Sequence, residues 1–148
     1  MFLAAIIFCI DRITKYMALV YCAQNSWYVN QFLSYELVFN RGISWGLFNA
    51  QSVLLFLLVS LIIASVTLCV GCHAYYLYRR GFSIFGHVLV FVGSFSNIID
   101  RIYYGGVIDF ILLSCRHYSW PVFNVADMAI VIGIIIMMMQ CDRWLSRK

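Results

Sequence analysis

The sequence predicts an all-α membrane protein with four transmembrane helices, and three observations support this fold class. Of the 148 residues, 64% are hydrophobic and 11% are charged, whereas roughly 25% are charged in a typical soluble domain. Apolar runs recur along the chain at a length of about 20 residues, which is enough for a helix to cross the ~30 Å core of a bilayer. The formal charge of +4 comes from basic residues near these runs, so it indicates orientation in a membrane and not binding to nucleic acid.

We interpret residues 1–148 as one integral membrane domain with spans at about 1–21, 53–78, 82–99 and 121–141. The second span is the most secure, because its first nineteen residues carry no charge. The third span ends in a polar motif. The fourth begins near Pro121, a residue that suits the first turn of a helix.

The first span is marginal because it contains Asp11, Arg12 and Lys15. A cleaved signal peptide is the alternative interpretation of this segment. The residues before Asp11 lack a basic region, and no A-x-A cleavage site precedes the charged turn. Both features favour a membrane span over a signal peptide.

Basic residues predict the orientation of the four spans. Two of them separate the second and third spans and three follow the fourth span: Arg79, Arg80, Arg143, Arg147 and Lys148. By the positive-inside rule these regions are cytoplasmic, so both termini are cytoplasmic too. The segments 22–52 and 101–120 then face outward, which in a bacterium is the periplasmic side.

The outward segments are rich in aromatic residues. Residues 28–39 alternate in part between polar and apolar side chains, as strands lying on the headgroup layer do. Other rings predict a belt at the membrane interface: Trp27, Tyr28, Trp45, Tyr103, Tyr104, Tyr118 and Trp120.

Cysteine and histidine spacings predict no metal centre. Cys69 and Cys72 form a C-x-x-C without a second pair at zinc-site spacing, and no H-E-x-x-H is present. Cys22 and Cys115 both lie on the outward side, and the sequence leaves open whether they form a disulfide. No G-x-S-x-G motif occurs either, so carboxylates are the remaining catalytic groups and no cofactor is expected.

The stretch 93–127 holds three of the six acidic residues and lies at a predicted membrane boundary, where ionisable groups usually mark a functional site. On a helix, Gly93, Asn97 and Asp100 share one face. For Asp100 and its neighbour Arg101, helix packing with a surface ion pair is an equally good interpretation.

Asp109 stands alone in the apolar run V-I-D-F-I-L-L, so its carboxylate must find a partner or take up a proton. Asp127 follows Asn124 at the spacing of a helix N-cap and its third residue, although capping would not require burial. If Asp109 and Asp127 meet, the two carboxylates share one proton and titrate as a unit, as in an aspartic peptidase.

Five motifs along nearly the whole chain resemble those of one family. They are Asp11-x-x-Thr14-Lys15, Asn40-x-Gly42, Gly93 through Asn97-x-x-Asp100-Arg101, Val107-Ile108-Asp109-Phe110-Ile111 and Phe123-Asn124-x-Ala126-Asp127. Each motif alone is weak. Their order, together with the four spans, resembles lipoprotein signal peptidase, also called signal peptidase II.

The resemblance implies an aspartic endopeptidase of the bacterial inner membrane that cleaves diacylglyceryl-modified prolipoproteins before the lipidated cysteine, without a cofactor. It implies four transmembrane helices, a small periplasmic β-sheet cradle and a short periplasmic helix, with the active site near the periplasmic face. The cyclic peptide globomycin is an expected inhibitor, and membrane lipid an expected partner. The implied residues are the catalytic Asp109 and Asp127, the substrate-binding Asn40, Gly42, Asn97, Arg101 and Asn124, and the structural Asp11, Lys15 and Asp100.

Two other classes of protein fit parts of the pattern. A small proton-coupled transporter or channel subunit would also place acids within a membrane, but the sequence shows no two-fold repeat and its acids cluster at one face. A non-catalytic assembly subunit would explain small residues such as Gly93 and Ser96. It would leave the isolated Asp109 unexplained.

Overall fold

The computed structural model describes residues 2–42, 52–116 and 118–145. These residues form four long helices and four short strands. In chain order they are α1 (Phe2–Tyr21), β1 (Trp27–Tyr28), β2 (Leu33–Asn40), α2 (Val53–Arg79), α3 (Phe85–Tyr104), β3 (Val107–Cys115), β4 (Tyr118–Ser119) and α4 (Val125–Leu145).

Some sequence predictions fall outside this part of the chain. The described residues contain no short helix between the strands, and residues 43–51, part of the segment 22–52 that the sequence predicts to face outward, are not among them. The predicted interface residue Trp45 and the basic residues Arg147 and Lys148 also lie outside the described residues.

Helix α2 has the length and the apolar composition needed to cross a membrane, and within the described ranges it alone meets both criteria. In α4, the apolar stretch Val125–Gln140 is shorter. The charged residues of α1 and α3 lower the hydropathy of those two helices, and most of these residues are buried inside the bundle.

Helix α3 is the centre of the bundle, because it packs against each of the other three helices. Its closest partner is α4. A methyl group added at Gly93 would lie 2.5 Å from the carbonyl oxygen of Ala126, and one at Gly86 would lie 2.7 Å from that of Gly133. Small residues therefore bring the two backbones together, as the sequence predicts for Gly93.

Two helix ends differ from the predicted spans for local reasons. Helix α3 continues to Tyr104, beyond the expected end at 99, because Gly105 is the residue that takes the left-handed conformation of a C-cap, with φ of 66°. Helix α4 begins at Val125 and not near Pro121. The residue before its N-cap, Phe123, instead exchanges backbone hydrogen bonds with Ile111 of β3, at 2.8 and 3.0 Å.

The strands form one antiparallel sheet in the order β1-β2-β3-β4. Strands β1 and β2 cover most of the segment 28–39 that the sequence pattern assigns to strands. In the central pairing, Val38 is opposite Asp109 and Asn40 is opposite Val107. This register carries Asp109 into the space between the sheet and the helices.

Cys22 and Cys115, the two cysteines that the sequence predicts on the outward side, do not form a disulfide. Cys22 is a buried free thiol and Cys115 an exposed one. The sheet is therefore held to the helices by hydrogen bonds and packing.

The close contact between α3 and α4 predicts an unusual response to alanine. In an ordinary helix, Gly→Ala stabilises by about 0.5–1 kcal/mol. At Gly86 and Gly133 the added methyl meets a backbone oxygen at 2.7 Å, so each substitution should destabilise the protein by about 1–3 kcal/mol. Thermal unfolding in detergent measures this change.

Gly71→Ala is the matched control, because its added methyl would meet atoms of the Phe91 ring, the nearest at 3.0 Å. A ring can turn aside more readily than a backbone carbonyl, so a smaller loss is expected. Unfolding temperatures for Gly86→Ala and Gly133→Ala at or above that of the unmodified protein would contradict close backbone packing.

Candidate active site

Asp109 projects from β3 into the interior, where its side chain is 2% exposed. One carboxylate oxygen accepts a hydrogen bond from Asn40 Nδ2 at 2.9 Å, and the other accepts one from Asn124 Nδ2 at 2.7 Å. The run of apolar neighbours in the sequence corresponds to a strand buried on both faces at this point. The isolated acid has therefore found amide partners.

Asp127 lies in the first turn of α4. Its backbone N–H donates to Asn124 Oδ1 at 2.8 Å, and its Oδ2 accepts from the backbone N–H of Asn124 at 3.2 Å. These two bonds form the reciprocal arrangement of a capping box. Its Oδ1 accepts a further bond from Asn97 Nδ2 at 2.8 Å.

Asn124 joins the two carboxylates, because its side chain bonds Asp109 while its backbone bonds Asp127. The residue is fully buried. Its Nδ2 also lies 3.3 Å from both Asn97 Oδ1 and the carbonyl oxygen of Ile108. One amide thus links α3, β3 and the start of α4 around the two acids.

A cavity of about 340 Å³ opens beside the acids, between α2, α3 and α4. Its polar lining consists largely of residues that the family resemblance places in the site, and the rest is mostly aliphatic. The polar members include Asn40, Gly42, Asn97, Arg101, Asp109 and Asp127. A second cavity of about 440 Å³, almost wholly apolar, borders Asp127 and the segment between β4 and α4.

Arg101 lines the cavity of about 340 Å³ beside the two acids. It also holds the chain that follows β2. Its Nη2 donates to the carbonyl oxygen of Gly42 at 2.6 Å, and its guanidinium lies over the Phe56 ring at 5.6 Å from the ring centroid. Arg101 therefore does not pair with Asp100. The interpretation of those neighbours as a surface ion pair is wrong, because helical geometry points consecutive side chains in different directions.

Asp100 instead belongs to a buried cluster with two cations of α1. It is fully buried and lies 2.7 Å from Lys15 Nζ and 2.5 Å from Arg12 Nη1. Lys15 also contacts Asp11 at 2.9 Å. Asp11 in turn accepts the backbone N–H of Ala126 at 2.7 Å, so the cluster ties α1 and α3 to the start of α4.

Sequence reasoning missed Arg12 and Ser96 as members of this cluster. Arg12 contacts Asp100, and the Ser96 hydroxyl donates to Asp11 at 2.6 Å. A signal for Arg12 was present in its position beside Asp11 within an otherwise apolar span. The sequence gives no signal that selects Asp100, 88 residues away, as its partner.

The pKa of Asp109 is raised from its ordinary value to about 7, mainly by burial and secondly by the nearby charge of Asp127. The hydrogen bonds from Asn40 and Asn124 oppose this shift, because they favour the carboxylate. Asp109 therefore retains a proton across the mildly acidic range. Two carboxyl groups in one site with a single negative charge are suited to acid–base chemistry.

The fold and the site together define a helical membrane enzyme. Two solved structures described as a bacterial membrane enzyme, determined by the in meso method, are similar to this chain with a TM-score of 0.73 and 26% identity each. The similarity covers 98% and 93% of this chain and 88% of each of those chains.

The family follows from the sequence comparison. The family model described as Signal peptidase (SPase) II matches residues 3–142, so the chain belongs to the signal peptidase II family. A lipoprotein signal peptidase of Thermodesulfovibrio yellowstonii is 36% identical over 132 residues, which is 88% of this chain and 86% of that protein. One from Clostridium novyi is 35% identical over 134 residues, covering 86% of each. The resemblance drawn from the five motifs is thus confirmed, and the protein is a peptidase.

The environment of Asp109 predicts how one substitution changes its titration. Asn40→Ala removes a hydrogen bond that favours the carboxylate, so the pKa of Asp109 should rise above about 7. The infrared carbonyl band of the protonated carboxyl, identified by its loss in Asp109→Asn, should persist to higher pH. Asn25→Ala, at an exposed position, is the control. A band that disappears at the same pH or at lower pH in Asn40→Ala would contradict the arrangement.

Proposed function

We propose that this chain is an aspartic endopeptidase that removes signal peptides from diacylglyceryl-modified prolipoproteins by cleaving before the lipidated cysteine. The observation that carries the proposal is the bridge through Asn124, which holds Asp109 and Asp127 beside one cavity. The names of the relatives supply the substrate class. The pairing of two buried acids supplies the chemistry.

The two acids have different roles. Asp109, with a pKa of about 7, carries the shared proton. Asp127 is the ionised member, because it lies at the positive end of α4 and accepts a backbone N–H there. A water molecule between them can then be activated on one side while the peptide carbonyl is polarised on the other.

The reaction proceeds in two steps, and each step includes two proton transfers. Asp127 takes a proton as the water oxygen bonds to the carbonyl carbon, and the Asp109 O–H gives its proton to the carbonyl oxygen. As the C–N bond of the tetrahedral intermediate breaks, one of its two hydroxyl protons returns to Asp109 and the proton on Asp127 passes to the leaving amine. The products are a carboxylic acid and an amine, and the pair regains its starting state.

Substrate binding follows from the lining of the cavity. The aliphatic walls from α2, α3 and α4 accept the apolar parts of the substrate, and membrane lipid surrounds the rest. The substrate-binding residues are Asn40, Gly42, Asn97, Arg101 and Asn124. Asn124 bonds both acids, the other four line the cavity, and each can offer a donor or a carbonyl oxygen. Globomycin, a cyclic peptide, would occupy the same space and block the dyad.

Membrane placement is also part of the proposal. Asp11 and Lys15 of α1 and Asp100 of α3 are buried in one ionic cluster, while the outer face of α1 presents exposed side chains such as Ile6, Ile13 and Val20. All four helices can therefore contact lipid in a bacterial inner membrane as one domain. Both termini, Arg79 and Arg80 are then cytoplasmic, and the sheet and active site lie at the periplasmic face, where the family also has a short helix.

The dyad predicts the behaviour of conservative amide substitutions. Asp109→Asn and Asp127→Asn should each reduce cleavage of a purified diacylglyceryl-prolipoprotein by about a hundredfold or more. The double variant should be little worse than either single variant, because the two acids act as one unit. Release of the signal peptide in detergent measures the rate.

Glu36→Gln is the matched control, since Glu36 is an exposed carboxylate on the same sheet and should keep the full rate. Folding of each variant is checked by its unfolding temperature. Cleavage by either single variant at more than about a tenth of the unmodified rate would remove that acid from catalysis.

The contacts of Arg101 predict that its substitution by lysine lowers the affinity for the inhibitor globomycin. Arg101→Lys keeps the charge but cannot reproduce the planar fork of donors that reaches the Gly42 carbonyl. Globomycin should bind at least about tenfold more weakly, since a buried partner left without its hydrogen bond costs about 1–3 kcal/mol. Arg41→Lys, one residue before Gly42 and exposed, should bind normally. Equal binding curves for the two variants would place Arg101 outside the binding site.

A further inference from the structure

A buried line of hydrogen bonds connects the ionic cluster to the dyad. Lys15 Nζ donates to Asn97 Oδ1 at 2.7 Å, and Asn97 Nδ2 donates to Asp127 Oδ1 at 2.8 Å. Lys15 has 0% exposure and Asn97 is buried. The amide of Asn97 thus stands between an ammonium group and a candidate catalytic carboxylate.

Lys15 can fix which end of that amide faces Asp127. An ammonium group only donates hydrogen bonds, so it requires the oxygen of Asn97 on its own side. Rotation of the amide by half a turn would put the NH₂ group against the ammonium and the oxygen against the carboxylate. Both contacts would then be repulsive, which leaves one orientation.

The remaining donors of Lys15 hold the ammonium in place. Its other two partners are the carboxylates of Asp11, at 2.9 Å, and Asp100, at 2.7 Å. With Asn97 they occupy the three hydrogens that an ammonium offers. The cluster therefore gives Lys15 a fixed position beneath Asn97 in addition to joining the helices.

We propose that Lys15 is a positioning residue for the peptidase reaction: it turns the NH₂ group of Asn97 toward Asp127 and thereby acts together with the N-terminal end of α4 to keep Asp127, and not Asp109, ionised. This inference rests on the proposed function. It assigns Lys15 a part in the chemistry beyond the structural role that the family resemblance implies.

The charged surroundings of the pair are consistent with this role. Among the described residues, three cations and two carboxylates of α1 and α3 lie in or next to the contacts above. They are Arg12, Lys15, Arg101, Asp11 and Asp100. Of the cations, only Lys15 reaches the dyad through an amide whose orientation it decides. The described contacts from α2 and β2 come from neutral groups, Ser60 and Asn40.

The test compares Asp11→Asn with the double variant Asp11→Asn/Lys15→Met. Lys15→Met alone would leave the buried carboxylates of Asp11 and Asp100 with Arg12 as the remaining cation of the cluster. An uncompensated buried charge favours unfolding. The double variant removes one charge of each sign, and Arg12 still pairs with Asp100. The two variants differ only at Lys15. Asp11→Asn leaves one unbalanced positive charge in the cluster, whereas the double variant restores the charge balance of the unmodified protein.

The expected kinetic result is a specific loss of turnover. Asp11→Asn should keep kcat within about threefold of the unmodified enzyme, since it touches no reacting group. The double variant should lose about tenfold in kcat with little change in KM, as expected when a bond to a charged group is lost. Adding Asn97→Ala to the double variant should lower kcat no further than adding it to Asp11→Asn, because Lys15 acts through Asn97.

A second readout needs no catalysis. In the otherwise unmodified protein at neutral pH, Asp109→Asn should abolish the infrared carbonyl band of the shared proton, because the proton resides on Asp109. In the Asp11→Asn/Lys15→Met background, part of that band should survive Asp109→Asn, because Asp127 now holds a share of the proton.

Each outcome decides the matter. Unchanged kcat and an unchanged band in the double variant would make Lys15 a structural residue only, and so would effects of Lys15→Met and Asn97→Ala that simply add. Should the double variant fail to fold, a band that survives Asp109→Asn in the otherwise unmodified protein would still overturn the assignment. A folded unmodified protein that does not cleave prolipoprotein would refute the proposed function separately, since the infrared result does not depend on cleavage.

Discussion

The bridge that Asn124 makes between Asp109 and Asp127 is the interaction on which the rest of the site depends. Two carboxyl groups cannot both be charged at low cost when they are buried near each other. Asn124 holds them by one side-chain donor, one backbone donor and the cap of α4. Because the same residue starts the helix and binds β3, the sheet and the bundle cannot shift relative to each other without separating the acids.

The ionic cluster between α1 and α3 supports this bridge through contacts with Ala126 and Asn97. A buried ion pair adds little net stability on its own, since desolvation offsets the attraction. The main effect of this cluster is to fix the positions of the residues around Asp127, and not to add stability. Asp11 accepts the N–H of Ala126 and Lys15 reaches Asn97, so a helix that contributes no acid to the dyad fixes both sides of Asp127. Close glycine contacts between α3 and α4 supply the remaining constraint.

The two acids and the cap could be singled out from the sequence because their signals are local, whereas their pairing was implied only by the family resemblance. Asp109 is isolated among apolar residues, and Asn124 and Asp127 have the spacing of a capping box. The helix ends were less predictable. Gly105 decided the end of α3 through its left-handed conformation, and the pairing of Phe123 with β3 delayed the start of α4. Neither feature changes the hydrophobic periodicity.

The ion pairs between different helices could not be predicted from the spacing of residues in the sequence. Asp100 stands next to Arg101 in the chain, yet its partners are Lys15 and Arg12 on another helix. Which cation a buried acid selects depends on how helices pack, and spacing along one helix does not encode it. The family motifs identified most members of the site without their contacts, and Arg12, which lies outside those motifs, required the structure.

The central claim is that Asp109 and Asp127 together hold one proton. Carbon NMR of the protein with ¹³C-labelled aspartate carboxyls tests it most directly, with the two resonances assigned by single Asn substitutions. At about pH 6, below the pKa of about 7 for Asp109, the pair should show one protonated and one ionised carboxyl. Two fully ionised carboxyls at that pH would contradict the claim, because neither acid could then polarise the peptide carbonyl.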